Sequence, residues 1–131
     1  MSWRRIYDDA TLQGHEDGRI AAVVAGVPAA ADFDLASLSQ LRVPVAILSA
    51  AQDRWLNPAW HSSRVLLACK HCVHLLEMTQ GGHGALISPL PPVLSGLLGE
   101  LVNDPPGFDR LHEVPRWEQL SRAFFDAQLL R

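Results

Sequence analysis

The fold is decided by the stretch Arg42-Val-Pro-Val-Ala-Ile-Leu-Ser49. This run is apolar almost throughout and does not alternate with polar residues, which is typical of a strand buried on both faces of a parallel sheet. Pro44 lies near the first residues of the run, where a missing backbone donor is tolerated. Two similar runs, Ile20-Ala-Ala-Val-Val24 and Cys72-Val-His-Leu-Leu-Glu-Met78, predict one strand before it and one after it.

Helical segments separate these strands. Residues 34–41 predict a short helix with Asp34 as its N-cap, and Asn57-Pro58 predicts a helix that begins there and runs to about Ala68. Because strands and helices alternate along the chain, the predicted fold class is α/β, with a short three-stranded parallel sheet, right-handed crossovers and helices on both faces.

Two further helices are predicted after the third strand. The first is amphipathic, because four leucines recur with the spacing of one helical face: Leu94, Leu97, Leu98 and Leu101. The second is expected to start near Pro115 and to carry an aromatic stripe that packs on the sheet, formed by Trp117, Leu120 and Phe124. The segment between them, Asp104-Pro-Pro-Gly-Phe-Asp109-Arg110, predicts a rigid turn that redirects the chain.

The length of 131 residues corresponds to one domain. Residues 1–18 are polar and mixed, and they predict an N-terminal arm or a short helix. Residues 19–131 form the expected α/β domain. A sheet of three strands leaves two open edges, so we expect a homodimer that pairs edge strands.

Composition excludes several classes of protein. A net charge of −3 argues against nucleic-acid binding through a basic surface. The apolar runs are far too short for a membrane span, and the N-terminus lacks the apolar region of a signal peptide, so a cytoplasmic location is expected. No Walker loop, dinucleotide-binding glycine fingerprint or calcium loop occurs, and no cofactor is expected.

Two residues that can carry chemistry follow neighbouring strands. Asp53 comes four residues after Ser49, and His83 lies in a Gly-Gly-His-Gly turn after the third strand. Because sites in open α/β sheets form beyond the carboxyl ends of the strands, we expect the Asp53 carboxyl to bond one ring nitrogen of His83. An imidazole oriented in this way acts as a general base.

The chain resembles the C-terminal half of an α/β-hydrolase, and more narrowly the predicted dienelactone hydrolase group of serine esterases. The resemblance covers roughly residues 17–130. It depends on segment 41–58 around Asp53, on Gly82-His83-Gly-Ala-Leu-Ile-Ser-Pro-Leu-Pro-Pro92, and on Asp104-Pro-Pro-Gly-Phe-Asp109-Arg-Leu-His112. It implies that Asp53 is the acid and His83 the base of a catalytic triad that hydrolyses small esters or lactones through an acyl-enzyme.

The family pattern also requires a nucleophile before Asp53, on a Gly-x-Ser-x-Gly elbow. This sequence has no such elbow, because none of its upstream serines has that context: Ser2, Ser37, Ser39 and Ser49. The chain therefore resembles a half-hydrolase, either a truncated gene product or a fragment. Two hypotheses stay open, an ester-hydrolysing site that works only when a nucleophile is supplied, and a non-catalytic dimerising module.

A cluster of sulfur and imidazole ligands, Cys69-Lys-His-Cys72-Val-His74, precedes and enters the third strand. Zinc sites usually combine two separated ligand pairs, and no second pair is near in sequence, so no metal is expected. A redox pair of Cys69 and Cys72 is a further alternative. The default interpretation is two buried or half-buried cysteines at a helix–strand junction.

Three other residues near Asp53 have a functional and a structural interpretation. His61 is expected on a solvated helix face, although it could line the same crevice as Asp53. Trp55 and Trp60 flank the Asp53 loop, and core packing is favoured over a place in the pocket wall.

Overall fold

The computed structural model describes residues 11, 14, 17–87 and 91–130, so the expected arm at 1–18 lies almost entirely outside the described residues. Three strands and four helices follow one another in this order: β1 Val23–Gly26, α1 Leu35–Leu38, β2 Val45–Ala50, α2 Ser62–Ala68, β3 Cys72–Met78, α3 Pro92–Leu98 and α4 Arg110–Leu129. A 3₁₀ turn, Gly99–Leu101, follows α3 directly. No helix in these ranges is long and apolar enough to cross a membrane.

The sheet is parallel, with the strand order β1-β2-β3. Its register pairs Val23 with Val45 and Val45 with Cys72, and one irregularity between Ile47 and Leu48 leaves Leu75 of β3 unpaired. The predicted α/β class is confirmed as a three-stranded parallel sheet flanked by helices.

The central strand β2 is buried along its whole length. Val45 and Ile47 pack on one face of the sheet with α1 and α2, and Leu48 and Ala50 pack on the other face with the side chains of α4. Successive side chains of a strand point to opposite faces, so an uninterrupted apolar run is what two helical layers require.

Several predicted boundaries are wrong: the first strand ends at Gly26, the first helix ends at Leu38, and the second strand is Val45–Ala50. Three further boundaries, the starts of β1, α2 and α4, have a local cause. The first strand begins at Val23 rather than Ile20, because pairing with β2 begins there. Helix α2 begins at Ser62, since the Asn57 side chain accepts the N–H of Ala59 and holds an isolated turn instead. Helix α4 begins at Arg110, five residues before Pro115, because the Asp109 carboxylate accepts the N–H of His112 and caps the helix.

The aromatic stripe of α4 has the expected position. Trp117 and Leu120 pack against the buried side chains of β2 and β3, and Phe124 is buried. Helix α3 does not contribute to the core, because none of its residues is buried. Its leucine face is covered only in part by the described residues, and Leu97 is 77% exposed.

Candidate functional site

The structure brings Asp53 and His83 together. The Asp53 Oδ2 atom lies 2.9 Å from Nδ1 of His83, at the carboxyl ends of β2 and β3. The Asp53 side chain is fully buried, whereas a quarter of the His83 side chain is exposed. The contact therefore has a buried carboxylate on one side and a ring that solvent or a ligand can reach on the other.

The second carboxylate oxygen of Asp53 fixes the loop that carries it. Oδ1 accepts the backbone N–H groups of Trp55 and Leu56, both at 2.8 Å. These contacts form a local turn directly after β2, in which an aspartate side chain replaces a backbone acceptor. Oδ1 of Asp53 thus fixes the loop, and Oδ2 remains directed towards His83.

This contact determines where the His83 proton lies. An ionised carboxylate only accepts hydrogen bonds, so Nδ1 of His83 is the donor to Oδ2 of Asp53. In the neutral ring Nε2 is then unprotonated and can take a proton from another group. This is the tautomer that a general base requires.

The glycines of the His83 loop are required by close packing. A Cβ atom at Gly84 would lie 2.7 Å from Cα of Val102, and one at Gly82 would lie 2.9 Å from Cδ of Pro105. Neither glycine has a positive φ. The two glycines are therefore needed because the loop packs closely against the segment that follows the 3₁₀ turn, rather than because the backbone turns sharply at them.

Arg110, at the start of α4, anchors the same loop. Its guanidinium donates to the backbone carbonyls of Gly84, at 3.0 Å, and of Ile87. It also forms a bidentate pair with Asp104, in which Nε lies 2.9 Å from Oδ2. Bidentate arginine–carboxylate pairs combine strength with fixed geometry, so Arg110 positions the loop that carries His83.

Sequence reasoning missed this role of Arg110. The segment 104–110 was predicted only to redirect the chain, and the loop carbonyls that Arg110 binds have no sequence signature. The available signal was the pair Asp104 and Arg110 on either side of a proline-rich turn.

His83 lies in the wall of a cleft of about 350 Å³. The cleft combines flat apolar side chains with amides and charges, supplied by Trp55, Pro105, Pro106, Gln52, Asn103, Arg54 and Glu100. Arg54 and Glu100 face each other at 4.0 Å and are both largely exposed, so this pair adds little to stability.

The two tryptophans were wrongly expected in the core. Trp55 and Trp60 are 60% and 68% exposed. Trp55 is turned outward on the loop that Asp53 folds, and it lines the cleft beside His83. It therefore belongs to the pocket wall.

His61 has neither of the predicted positions. It precedes α2 and is half-buried, and its Nδ1 accepts the N–H of Ala30 at 3.0 Å. It ties the loop after β1 to the start of α2, and it is not among the residues that line the cleft.

The Cys/His cluster does not assemble as a metal site. Cys69 is buried and Cys72 half-buried at the junction of α2 and β3, as expected, and the two form a disulfide. Nε2 of His74 lies 2.8 Å from Oγ of Ser49, and His71 is exposed. Within residues 17–87 and 91–130, no three His, Cys, Asp or Glu side chains converge as metal ligands.

No described serine stands where a triad nucleophile would be needed. The Ser49–His74 contact is the one serine–histidine hydrogen bond among the described side chains, and Ser49 is buried within β2. Ser37 and Ser39 bond locally around α1. The described residues thus hold an Asp–His pair to which no described serine is hydrogen-bonded.

The chain matches no protein-family profile, no curated protein and no solved structure. The interpretation of the site therefore depends on its geometry.

Proposed function

We propose that the chain carries the acid–base half of an ester-hydrolysing site of α/β-hydrolase type, which acts on small esters or lactones when a nucleophile is supplied. The observation that carries the proposal is the 2.9 Å contact between the buried Asp53 carboxylate and Nδ1 of His83. The half-exposed cleft beside His83 is in the size range of small-molecule sites.

In the proposed reaction, Nε2 of His83 takes the proton of an attacking hydroxyl group as its oxygen adds to the ester carbonyl. Asp53 stabilises the imidazolium ion that forms and keeps the ring oriented. When the tetrahedral intermediate collapses, the imidazolium returns the proton to the leaving oxygen. If the hydroxyl belongs to water, the products are an acid and an alcohol; if it belongs to a serine, an acyl-enzyme is formed first.

Hydrolysis of p-nitrophenyl acetate by the purified chain tests the proposal. We expect a slow rate above that of buffer, because water is a poor substitute for an activated serine. His83→Gln should abolish this excess rate, since the ring is lost while the loop can keep its backbone contacts. His112→Gln is the matched control, because His112 is exposed on α4 and lies outside the cleft.

Equal rates for the wild-type chain and His83→Gln would refute the proposal. In that case the second candidate is a non-catalytic interaction module in which Asp53 and His83 only tie the two loops together. The missing Gly-x-Ser-x-Gly elbow favours this candidate.

A further inference from the structure

Helix α3 and the 3₁₀ turn after it present an apolar face that the described residues cover only in part. This helix face consists of Val93, Leu94, Leu97, Leu98 and Leu101, and Leu97 is 77% exposed. The i, i+3, i+4, i+7 spacing of the leucines is that of an amphipathic helix whose apolar side enters a groove. A contiguous apolar face of this kind indicates an interaction site.

A second exposed apolar surface is the groove between α1 and α2. The α1–α2 groove has a volume of about 600 Å³ and is apolar except for one arginine; it is lined by Leu35, Ala36, Ala59, Trp60, Arg64, Leu67 and Ala68. Trp60 and Leu67 are 68% and 89% exposed. Aromatic and aliphatic side chains of this kind are typical anchors of a protein interface.

The charges at the two surfaces are also complementary. Arg64 lines the α1–α2 groove. One terminal nitrogen donates to the carbonyl of Phe33 at 3.4 Å, and Nε is buried without a hydrogen-bond partner. No carboxylate of the described residues lies within ion-pair distance of it. Glu100 lies between Leu98 and Leu101, and among the described residues its ion-pair partner is Arg54, at 4.0 Å with both side chains exposed.

We propose that the chain associates with a second copy head to tail, with the α3 helix face of one copy in the α1–α2 groove of the next and Glu100 near Arg64. One contact then buries both of the exposed apolar surfaces and gives the Arg64 guanidinium a carboxylate partner. Because the two surfaces differ, the contact is heterologous and repeats from copy to copy, forming a ring or an open chain. The proposal does not depend on the ester-hydrolysing role of His83.

To test this contact, one charged residue is introduced on each surface in turn. The association of each variant is then measured by sedimentation velocity at several concentrations. Leu67→Glu disables the groove and Leu97→Glu disables the helix face, and both positions are exposed, so the fold should tolerate them. We expect each variant to be a monomer, with association weakened more than about tenfold. Leu111→Glu is the matched control, because Leu111 is 80% exposed on α4 and belongs to neither surface.

Mixing the two variants distinguishes this contact from a symmetric one. The Leu67→Glu chain keeps its helix face and the Leu97→Glu chain keeps its groove, so an equimolar mixture should form a dimer and stop there. The double exchange Arg64→Glu with Glu100→Arg should restore part of the association that Arg64→Glu alone removes.

Three results would overturn the proposal. The first is a wild-type chain that is monomeric at all concentrations. The second is association that persists in both glutamate variants, which would place the contact elsewhere, for example at the open edge of β1. The third is a mixture that stays monomeric, which would mean that the helix face and the groove do not bind each other.

Discussion

The Asp53 carboxylate holds its own loop and orients the ring of His83, and replacement by asparagine separates these two roles. Asparagine can keep its oxygen on the N–H groups of Trp55 and Leu56, but it must then turn its NH₂ group towards His83. Nδ1 of His83 can only accept from that group, so the ring proton moves to Nε2. The variant should keep the loop and lose the basic nitrogen that faces the cleft.

The structure gives the expected free energies. Asp53→Ala removes the acceptor for two backbone N–H groups and for Nδ1–H, at 2.8, 2.8 and 2.9 Å. Hydrogen bonds to charged groups contribute about 1.5–3 kcal/mol each and do not add fully, so the loss should be about 3–5 kcal/mol. Asp53→Asn keeps the two backbone bonds and replaces the third by an uncharged bond of opposite direction, so it should cost only about 1–2 kcal/mol.

Urea unfolding measures these losses, and ¹⁵N NMR of the imidazole nitrogens locates the proton of His83. We expect the proton on Nδ1 in the wild-type chain and on Nε2 in Asp53→Asn. The reasoning is refuted if the tautomer is the same in both proteins, or if asparagine destabilises the fold as much as alanine does.

Three other substitutions test the supports of the site and of the fold. Arg110→Gln should destabilise the chain by about 2–4 kcal/mol in urea unfolding and broaden the His83 ring signals, because it leaves Asp104 and the loop carbonyls without their cation; unchanged signals would contradict its positioning role. Gly84→Ala should cost about 1–3 kcal/mol, since the new methyl group would overlap Val102, and an unaltered urea midpoint would argue against this contact. The backbone N–H of Ser37 lowers the pKa of Asp34 in the folded chain. The Asp34 carboxylate therefore stabilises the fold fully above pH 3.8, its ordinary pKa, and this stabilisation is lost as the pH falls below that value. Asp34→Asn should lose less stability than the wild-type chain between pH 5 and pH 3.

The strands and the Asp–His contact could be predicted because local sequence determines them. The run 42–49 is apolar without alternation, and only a strand between two helical layers buries such a run fully. Two parallel neighbours end at the same edge of a sheet, so Asp53 and His83 had to lie near each other. Their hydrogen bond was expected as well, and the structure adds which ring nitrogen takes part, Nδ1 at 2.9 Å.

The residues that support the site depend on contacts between distant segments. Arg110 acts on backbone carbonyls, which every residue has, so no pattern in the sequence points to them. The predicted start of the last helix near Pro115 is wrong, because the Asp109 cap lies earlier and begins the helix at Arg110. Trp55 is exposed because Asp53 folds the loop outward, which outweighs the tendency of a large aromatic side chain to be buried.

Transfer of the acetyl group to an added alcohol tests the central claim most directly, because it supplies the missing nucleophile. The purified chain is incubated with p-nitrophenyl acetate and increasing concentrations of methanol, and the formation of methyl acetate is followed. The account predicts a protein-dependent rate that rises with methanol, is retained in His112→Gln and is lost in both His83→Gln and Asp53→Asn. A rate that His83→Gln retains would show that the Asp53–His83 pair does not act as a base, and would contradict the account.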